Sequence, residues 1–198
     1  MANSILDAIG GTPLVELRNL VPKETGRILV KLEYLSPGFS KKDRIARQII
    51  ADAEESGELR PGRPVIALTS GNTGTGLAIV CRALGYPFIA VMSKGNSPER
   101  AQMMRAFGAE VVLVDQHPQS KIGEVSGEDL ALVEEMSQRT ALERDGLCID
   151  QFQHTGNSRA HYLQTGPEIW RQTEGRIDAF CDFVGTGYAS EEGRLAKK

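Results

Sequence analysis

The chain has 198 residues, with 23 basic and 26 acidic side chains and a formal net charge of −3. Its hydrophobic content of 40% is that of a globular protein and is too high for a disordered segment. The weakly acidic balance argues against a nucleic-acid partner, and no apolar run approaches the roughly 20 residues that a membrane span needs. The three cysteines and three histidines lack the spacing of zinc ligands, so no metal site or disulfide framework is predicted. This cysteine usage, with no secretory signal at the N-terminus, favours the cytoplasm.

The first predicted helix follows a loop rich in serine and lysine. Ser40 and Asp43 have the spacing of a capping box, with serine as the N-cap and an acid at the third helical position. This places Lys41 at the first and Lys42 at the second helical position, against the positive end of the helix dipole. An amine at such a place is biased towards its neutral form, the form that attacks a carbonyl group. Two solvated lysines in a turn are an equally good interpretation of these residues alone.

Strand and helix patterns then alternate along the chain. Strands are predicted at short apolar runs, and helices where apolar side chains recur every three or four residues. This alternation is typical of an α/β fold with a parallel twisted sheet flanked by helices and joined by right-handed crossovers. The predicted strands are 65–68, 88–92, 111–114, 147–149 and 179–184, and the predicted helices after the first are 73–84, 98–107 and 128–144.

Polar and glycine-rich loops follow the predicted strands, at the edge where parallel sheets bind ligands. For one such loop an ordinary turn is the simpler interpretation, but several loops on one edge favour a site for an anionic ligand. The sequence contains neither the phosphate-binding pattern of dinucleotide enzymes nor that of nucleoside triphosphatases, which disfavours both classes. The loops are 69–74, 93–96, 151–152 and 185–187.

Seven stretches match one family, in the family's order and over nearly the whole chain. They are 10–14 (GGTPL), 36–44 (SPGFSKKDR), 69–74 (TSGNTG), 105–110 (RAFGAE), 150–152 (DQF), 165–170 (TGPEIW) and 184–187 (VGTG). With these residues the chain resembles the fold-type II pyridoxal-phosphate enzymes, within them the branch of cysteine synthase (O-acetylserine sulfhydrylase) and cystathionine β-synthase. The resemblance implies a smaller α/β sheet domain over 42–150, which bears the substrate loop. It implies that 1–41 and 151–198 form part of a larger cofactor domain.

The resemblance also implies roles for individual residues. Lys42 would bind pyridoxal 5′-phosphate as an internal aldimine and move the substrate Cα proton, with Lys41 as the minor candidate. Asn72 would bind the 3′-oxygen of the cofactor ring, and the loop Gly185-Thr186-Gly187 its phosphate. The residues implied to hold the substrate carboxylate are Thr69, Ser70, Gly71, Thr73 and Gln151.

The implied reaction is β-replacement on an activated serine such as O-acetylserine. An aminoacrylate intermediate would accept sulfide or a thiol, giving cysteine or a related amino acid. The implied partners are therefore a small amino acid and sulfide or a thiol, in a homo-oligomer such as a dimer, with no nucleic acid or membrane.

Two departures from the family pattern favour a different function. The phosphate loop usually reads G-T-G-G-[ST], but here Tyr188 and Ala189 follow Gly187, and Glu191 and Glu192 would repel a phosphate. Family members also continue beyond the position of Lys198, so the resemblance implies a chain truncated at its C-terminus, with an incomplete second domain. Such a domain predicts low stability as a monomer, or pairing with another chain. The alternative function is a non-catalytic relative that acts only through association with other chains.

Overall fold

The computed structural model describes residues 3–19, 21–22, 24 and 26–183. Besides the helices and strands it contains 3-10 turns at Ile5–Ala8 and Glu33–Leu35 and a π-helical turn at His161–Thr165. The strands are β1 (Leu14–Glu16), β2 (Leu29–Lys31), β3 (Val65–Leu68), β4 (Phe88–Ser93), β5 (Glu110–Val114) and β6 (Leu147–Ile149). The helices are α1 (Lys42–Glu55), α2 (Asn72–Leu84), α3 (Pro98–Ala106), α4 (Gly127–Glu143), α5 (Gly156–Ala160) and α6 (Gly166–Gln172).

The main sheet has four parallel strands in the order β5-β4-β3-β6. Successive side chains of a strand point to opposite faces, and here both faces are buried. Val65 and Ala67 of β3 face a core that includes residues of α1, α2 and α3, whereas Ile66 packs with Val133 of α4 on the other face. The predicted α/β fold with a parallel sheet flanked by helices is therefore confirmed. The four strands predicted between residues 65 and 149 are all present.

The predicted strand over residues 179–184 is wrong for the part that the structure describes. Residues 179–183 have no regular secondary structure and are exposed, and Val184 lies outside the described residues. A strand needs a neighbouring strand for its backbone hydrogen bonds, whatever its side chains favour. Among the described residues the sheets consist of β1–β2 and β5-β4-β3-β6, and neither offers a partner to this segment.

The predicted capping box of α1 is also wrong. The helix begins at Lys42 and its N-cap is Lys41, one residue later than predicted. The Ser40 hydroxyl accepts the Lys42 backbone N–H at 3.2 Å, but the Asp43 carboxylate accepts the Gly38 N–H at 2.5 Å. Because Asp43 is buried against the loop that precedes the helix, it does not close the box.

No helix in the described part of the chain is both long and apolar enough to cross a bilayer.

Candidate functional site

The loops that follow β3 and β6 meet at one edge of the sheet. The two strands are parallel neighbours in which Ala67 lies opposite Ile149, so their carboxyl ends lie side by side. The Thr73 hydroxyl donates a hydrogen bond of 2.5 Å to the Oε1 atom of Gln151. The structure therefore brings together two predicted substrate-binding residues that are 78 positions apart in the chain.

The start of α2 offers uncapped backbone amides at this edge. The Thr75 N–H bonds to the Gly71 carbonyl at 3.1 Å, so the amides of the three preceding residues have no acceptor within the helix. Gly71 is the N-cap and has no side chain to accept them. In α4, by contrast, the Ser126 hydroxyl accepts the Asp129 N–H. The α2 terminus is thus suited to an anion from outside the chain, as a carboxylate is.

Two glycines of α2 permit close packing around the site. A Cβ on Gly74 would lie 2.5 Å from the Met104 sulfur and 2.7 Å from a methyl carbon of Thr69. A Cβ on Gly76 would lie 3.1 Å from the Cβ of Ala46 and 3.2 Å from the Cα of Asp43. The start of α1 therefore packs directly against the second turn of α2, and α3 packs against the first.

Lys42 and Lys41 differ in their surroundings. Lys42 is half-buried and is the first residue of α1, one position before Asp43, whose backbone lies against α2. The Lys41 ammonium forms an ion pair with Asp182, in the segment that precedes the predicted phosphate loop. That loop, Gly185-Thr186-Gly187, and the residues that follow it lie outside the described residues.

The Asp43 carboxyl is buried beside this turn, and its burial disfavours the charged carboxylate. Its burial raises its pKa to about 6, although the Gly38 N–H opposes the shift. Its Oδ1 atom has no hydrogen-bond partner among the described residues, and neither does the buried Ser36 hydroxyl of the same loop. A buried carboxylate oxygen without a donor is costly, so the start of α1 is a locally destabilised part of the fold.

An ion cluster behind the site is the main feature that the sequence analysis missed. The Arg44 side chain is fully buried between two carboxylates. Its Nε and Nη2 atoms donate to the two oxygens of Glu33 at 2.7 and 2.8 Å. Its Nη1 and Nη2 atoms donate to the two oxygens of Glu168, both at 2.8 Å. Such bidentate ion pairs fix the position of both partners, and here the pair with Glu168 connects α1 to α6.

Lys31 and the backbone complete this cluster. The Lys31 ammonium lies 2.9 Å from Glu168 Oε2 and donates to the Thr12 carbonyl at 2.6 Å. The Gly11 N–H donates to Glu168 at 2.9 Å. Burial raises the pKa of Glu168, but the hydrogen bonds from Arg44, Gly11 and Lys31 outweigh it and hold the pKa at about 2. We call Lys31, Glu33, Arg44 and Glu168 the ion cluster; its two cations and two anions balance.

The sequence held a signal for the cluster that was not used. Three of the seven matched stretches, 10–14, 36–44 and 165–170, meet in it through Gly11, Arg44 and Glu168. A matched stretch therefore need not contact a ligand, since these residues connect segments of the fold.

The side chains at the sheet edge fit the predicted cofactor by their chemistry. A lysine amine suits the cofactor aldehyde, and the exposed Asn72 amide suits its ring oxygen. The uncapped amides of α2 and the hydroxyls of Thr69 and Ser70 suit the carboxylate of an amino acid. In the described part of the chain no group of three or more His, Cys, Asp or Glu is placed to hold a metal ion.

Comparison with known proteins identifies the family of the chain. The sequence profile of the family described as "Pyridoxal-phosphate dependent enzyme" matches residues 5–189. Cysteine synthase B of Salmonella typhimurium is 45% identical over 184 residues, which cover 93% of this chain and 57% of that protein. The chain spans a little more than half of the length of the curated relatives it matches.

Two solved structures have the same fold. A hydrogen sulfide-producing enzyme from Fusobacterium nucleatum superposes with a TM-score of 0.89 at 36% identity, over 100% of this chain and 62% of that one. O-Acetyl serine sulfhydrylase isoform 3 from Entamoeba histolytica superposes with a TM-score of 0.84 at 36% identity, over 100% of this chain and 58% of that one.

The resemblance and the cofactor inferred from the sequence are confirmed by these matches. The match of the family's sequence profile over residues 5–189, nearly the whole chain, shows that the chain belongs to the family of pyridoxal-phosphate dependent enzymes.

Proposed function

We propose that the protein catalyses β-replacement on an activated serine such as O-acetylserine, with sulfide or a thiol as the nucleophile. The observation that carries this proposal is the meeting of the α1 and α2 starts with the Thr73–Gln151 pair at one sheet edge. The names of the relatives support cysteine as the product, since cysteine synthases and an O-acetylserine sulfhydrylase are among them.

Lys42 is the proposed attachment point of the cofactor. It is the first residue of α1 and is half-buried, next to Asp43, whose backbone packs against α2. Bound pyridoxal phosphate supplies an electron sink for negative charge at the substrate Cα. The Lys42 Nζ atom would take the Cα proton as the Cβ–O bond breaks and acetate leaves. Hydrosulfide would then form the new Cβ–S bond, and Lys42 would return the proton to Cα.

The proposed carboxylate site consists of Thr69, Ser70, Gly71, Thr73 and Gln151. The uncapped amides of α2 donate to one end of the substrate, and the hydroxyls and the Gln151 amide fix its orientation. Asn72 would donate to the cofactor ring oxygen, and Gly185-Thr186-Gly187 would bind its phosphate.

The proposed organisation is a smaller domain of residues 42–150 and a larger domain to which 1–41 and 151–198 belong. The ion cluster supports a connection between the two, because Arg44 of the first binds Glu33 and Glu168 of the second.

We also propose a cytoplasmic homodimer. All three cysteines are free, which suits a reducing compartment.

The function is tested by loading the purified protein with pyridoxal phosphate and measuring cysteine formed from O-acetylserine and sulfide. O-Phosphoserine and serine serve as competing donors, so that the leaving group is identified. Gln151→Ala should raise KM for the donor by about tenfold, the loss of roughly one good hydrogen bond to a charged group. Gln153→Ala, an exposed neighbour, is the control. A loaded protein that forms no β-substituted alanine from any donor would support the non-catalytic alternative instead.

A further inference from the structure

Arg100 lies on the outer side of the loop that is proposed to hold the substrate carboxylate. It is the third residue of α3, and its Nη1 atom donates to the Ser70 carbonyl oxygen at 3.2 Å. The same atom lies 3.9 Å from the place where a Cβ on Gly71 would be. An arginine of one helix thus reaches the peptide bond immediately before the N-cap of another.

The face of α3 that bears Arg100 supports this loop at two more points. The Thr75 hydroxyl lies 3.6 Å from the Met103 sulfur, and the Met104 sulfur packs over Gly74. Positions three and four residues apart share one face of a helix, so all three side chains of α3 approach the start of α2 together. Met103 and Met104 supply apolar packing, and Arg100 supplies the polar contact.

The hydrogen bond has a geometric consequence for the site. In a trans peptide the C=O and the following N–H point in opposite directions. Because Arg100 holds the Ser70 carbonyl on the α3 side, the Gly71 N–H is directed to the other side. Gly71 has an extended φ of −149°, and the uncapped amides of α2 follow it directly.

The charge of Arg100 acts in the same direction. Among residues 3–19, 21–22, 24 and 26–183, no carboxylate lies within ion-pair distance of its guanidinium, so no side chain of this part of the chain neutralises its charge. A positive charge next to the N-terminus of α2 adds to the dipole that favours an anion there.

We propose that Arg100 is a positioning residue for the substrate carboxylate, which it orients through the Ser70–Gly71 peptide without contacting the substrate. The inference rests on the proposed function, since it takes the start of α2 as the carboxylate site. It predicts that Arg100 affects ligands with a carboxylate and leaves simple amines unaffected.

The test uses the cofactor-loaded protein and two ligands that have an amine but no leaving group. L-Alanine has the carboxylate and ethylamine lacks it, and both are titrated while the visible spectrum of the cofactor is followed. Arg100→Met should weaken the binding of alanine by about three- to tenfold, which is the effect of one lost hydrogen bond. The affinity for ethylamine should stay within about twofold of the wild-type value. KM for O-acetylserine should rise by a similar factor with little change in kcat. Arg105→Met, an exposed arginine in the last turn of α3, is the matched control.

The outcomes separate this inference from the proposed function. A wild-type protein whose spectrum responds to neither ligand contradicts the proposed function. A wild-type protein that responds, with an Arg100→Met variant that binds alanine equally well, overturns the role of Arg100 alone. Equal weakening of alanine and ethylamine would show a general structural effect and would overturn it too.

Discussion

The ion cluster and the sheet edge are both polar, but they satisfy their polar groups in opposite ways. In the cluster every charge has a partner of opposite sign within the protein, and Arg44 alone makes four hydrogen bonds to carboxylates. At the edge, the start of α2 has no side-chain cap. The difference separates groups that hold the fold together from groups that are kept ready for a ligand.

Removal of the central cation of the cluster should have the largest effect on stability. Arg44→Met leaves the partly buried Glu33 and Glu168 without their main partner, at a cost of about 3–5 kcal/mol in the free energy of unfolding. Urea unfolding measures this loss. The control is Arg144→Met, whose exposed pair with Glu110 at 3.4 Å should contribute at most about 1 kcal/mol. Similar losses for the two variants would contradict the structural role of the cluster.

A methyl group added under the sheet edge should have the next largest effect. Gly74→Ala places a Cβ against the Met104 sulfur and Thr69, and overpacking of this kind costs about 1–3 kcal/mol. It should also displace the loop 69–74, which is proposed to hold the substrate carboxylate, and so weaken the binding of alanine in the spectral titration. Gly127→Ala at the start of α4, where a Cβ meets nothing within 4 Å, is the matched control. The account of the loop fails if Gly74→Ala is as stable as the control.

The ion cluster should stabilise the protein less in acid. The pKa of Glu168 is about 2 in the folded protein and near its ordinary value of 4.5 in the unfolded chain. Its contribution is therefore complete above about pH 4.5 and is lost as the pH falls towards 2. Glu168→Gln should flatten this part of the pH profile of thermal unfolding. An unchanged acid slope in the variant would show that Glu168 is not the group responsible.

Asp43 should have a smaller effect on the pH dependence of stability, and of opposite sign to that of Glu168. Its folded pKa is raised to about 6 from an ordinary value of 3.8, so its contribution is greatest below about pH 3.8 and is lost as the pH rises through 6. Asp43→Asn removes this titration. The stability of the variant relative to the wild type should increase between pH 4 and 7, and a constant difference over that range would contradict the raised pKa.

The parallel sheet was predictable from the sequence because its strands are buried on both faces. Residues 65–68 and 147–149 are short apolar runs, and the structure forms β3 and β6 over the same residues. The strand predicted over 179–184 does not form over 179–183, although its side-chain pattern is apolar. Side-chain pattern does not reveal whether a neighbouring strand is present, and within the described residues none pairs with 179–183.

The candidate site was predictable where motif residues meet at strand ends, as Thr73 and Gln151 do. No local pattern indicates the ion cluster, because the Arg44–Glu168 pair joins residues 124 positions apart, and only the matched stretches that contain these residues pointed to it. The start of α1 was misplaced for a related reason. The Asp43 carboxylate bonds to Gly38 in the preceding loop, a contact that competes with the capping box.

The central claim is that Lys42 holds the cofactor, and covalent trapping tests it most directly. The protein is loaded with pyridoxal phosphate, reduced with borohydride and digested, and the modified lysine is identified by mass spectrometry. We predict modification of Lys42 in the wild type and in Lys41→Ala, and loss of the visible cofactor band in Lys42→Ala. Modification of Lys41, or a Lys42→Ala protein that keeps the same band, would contradict the claim.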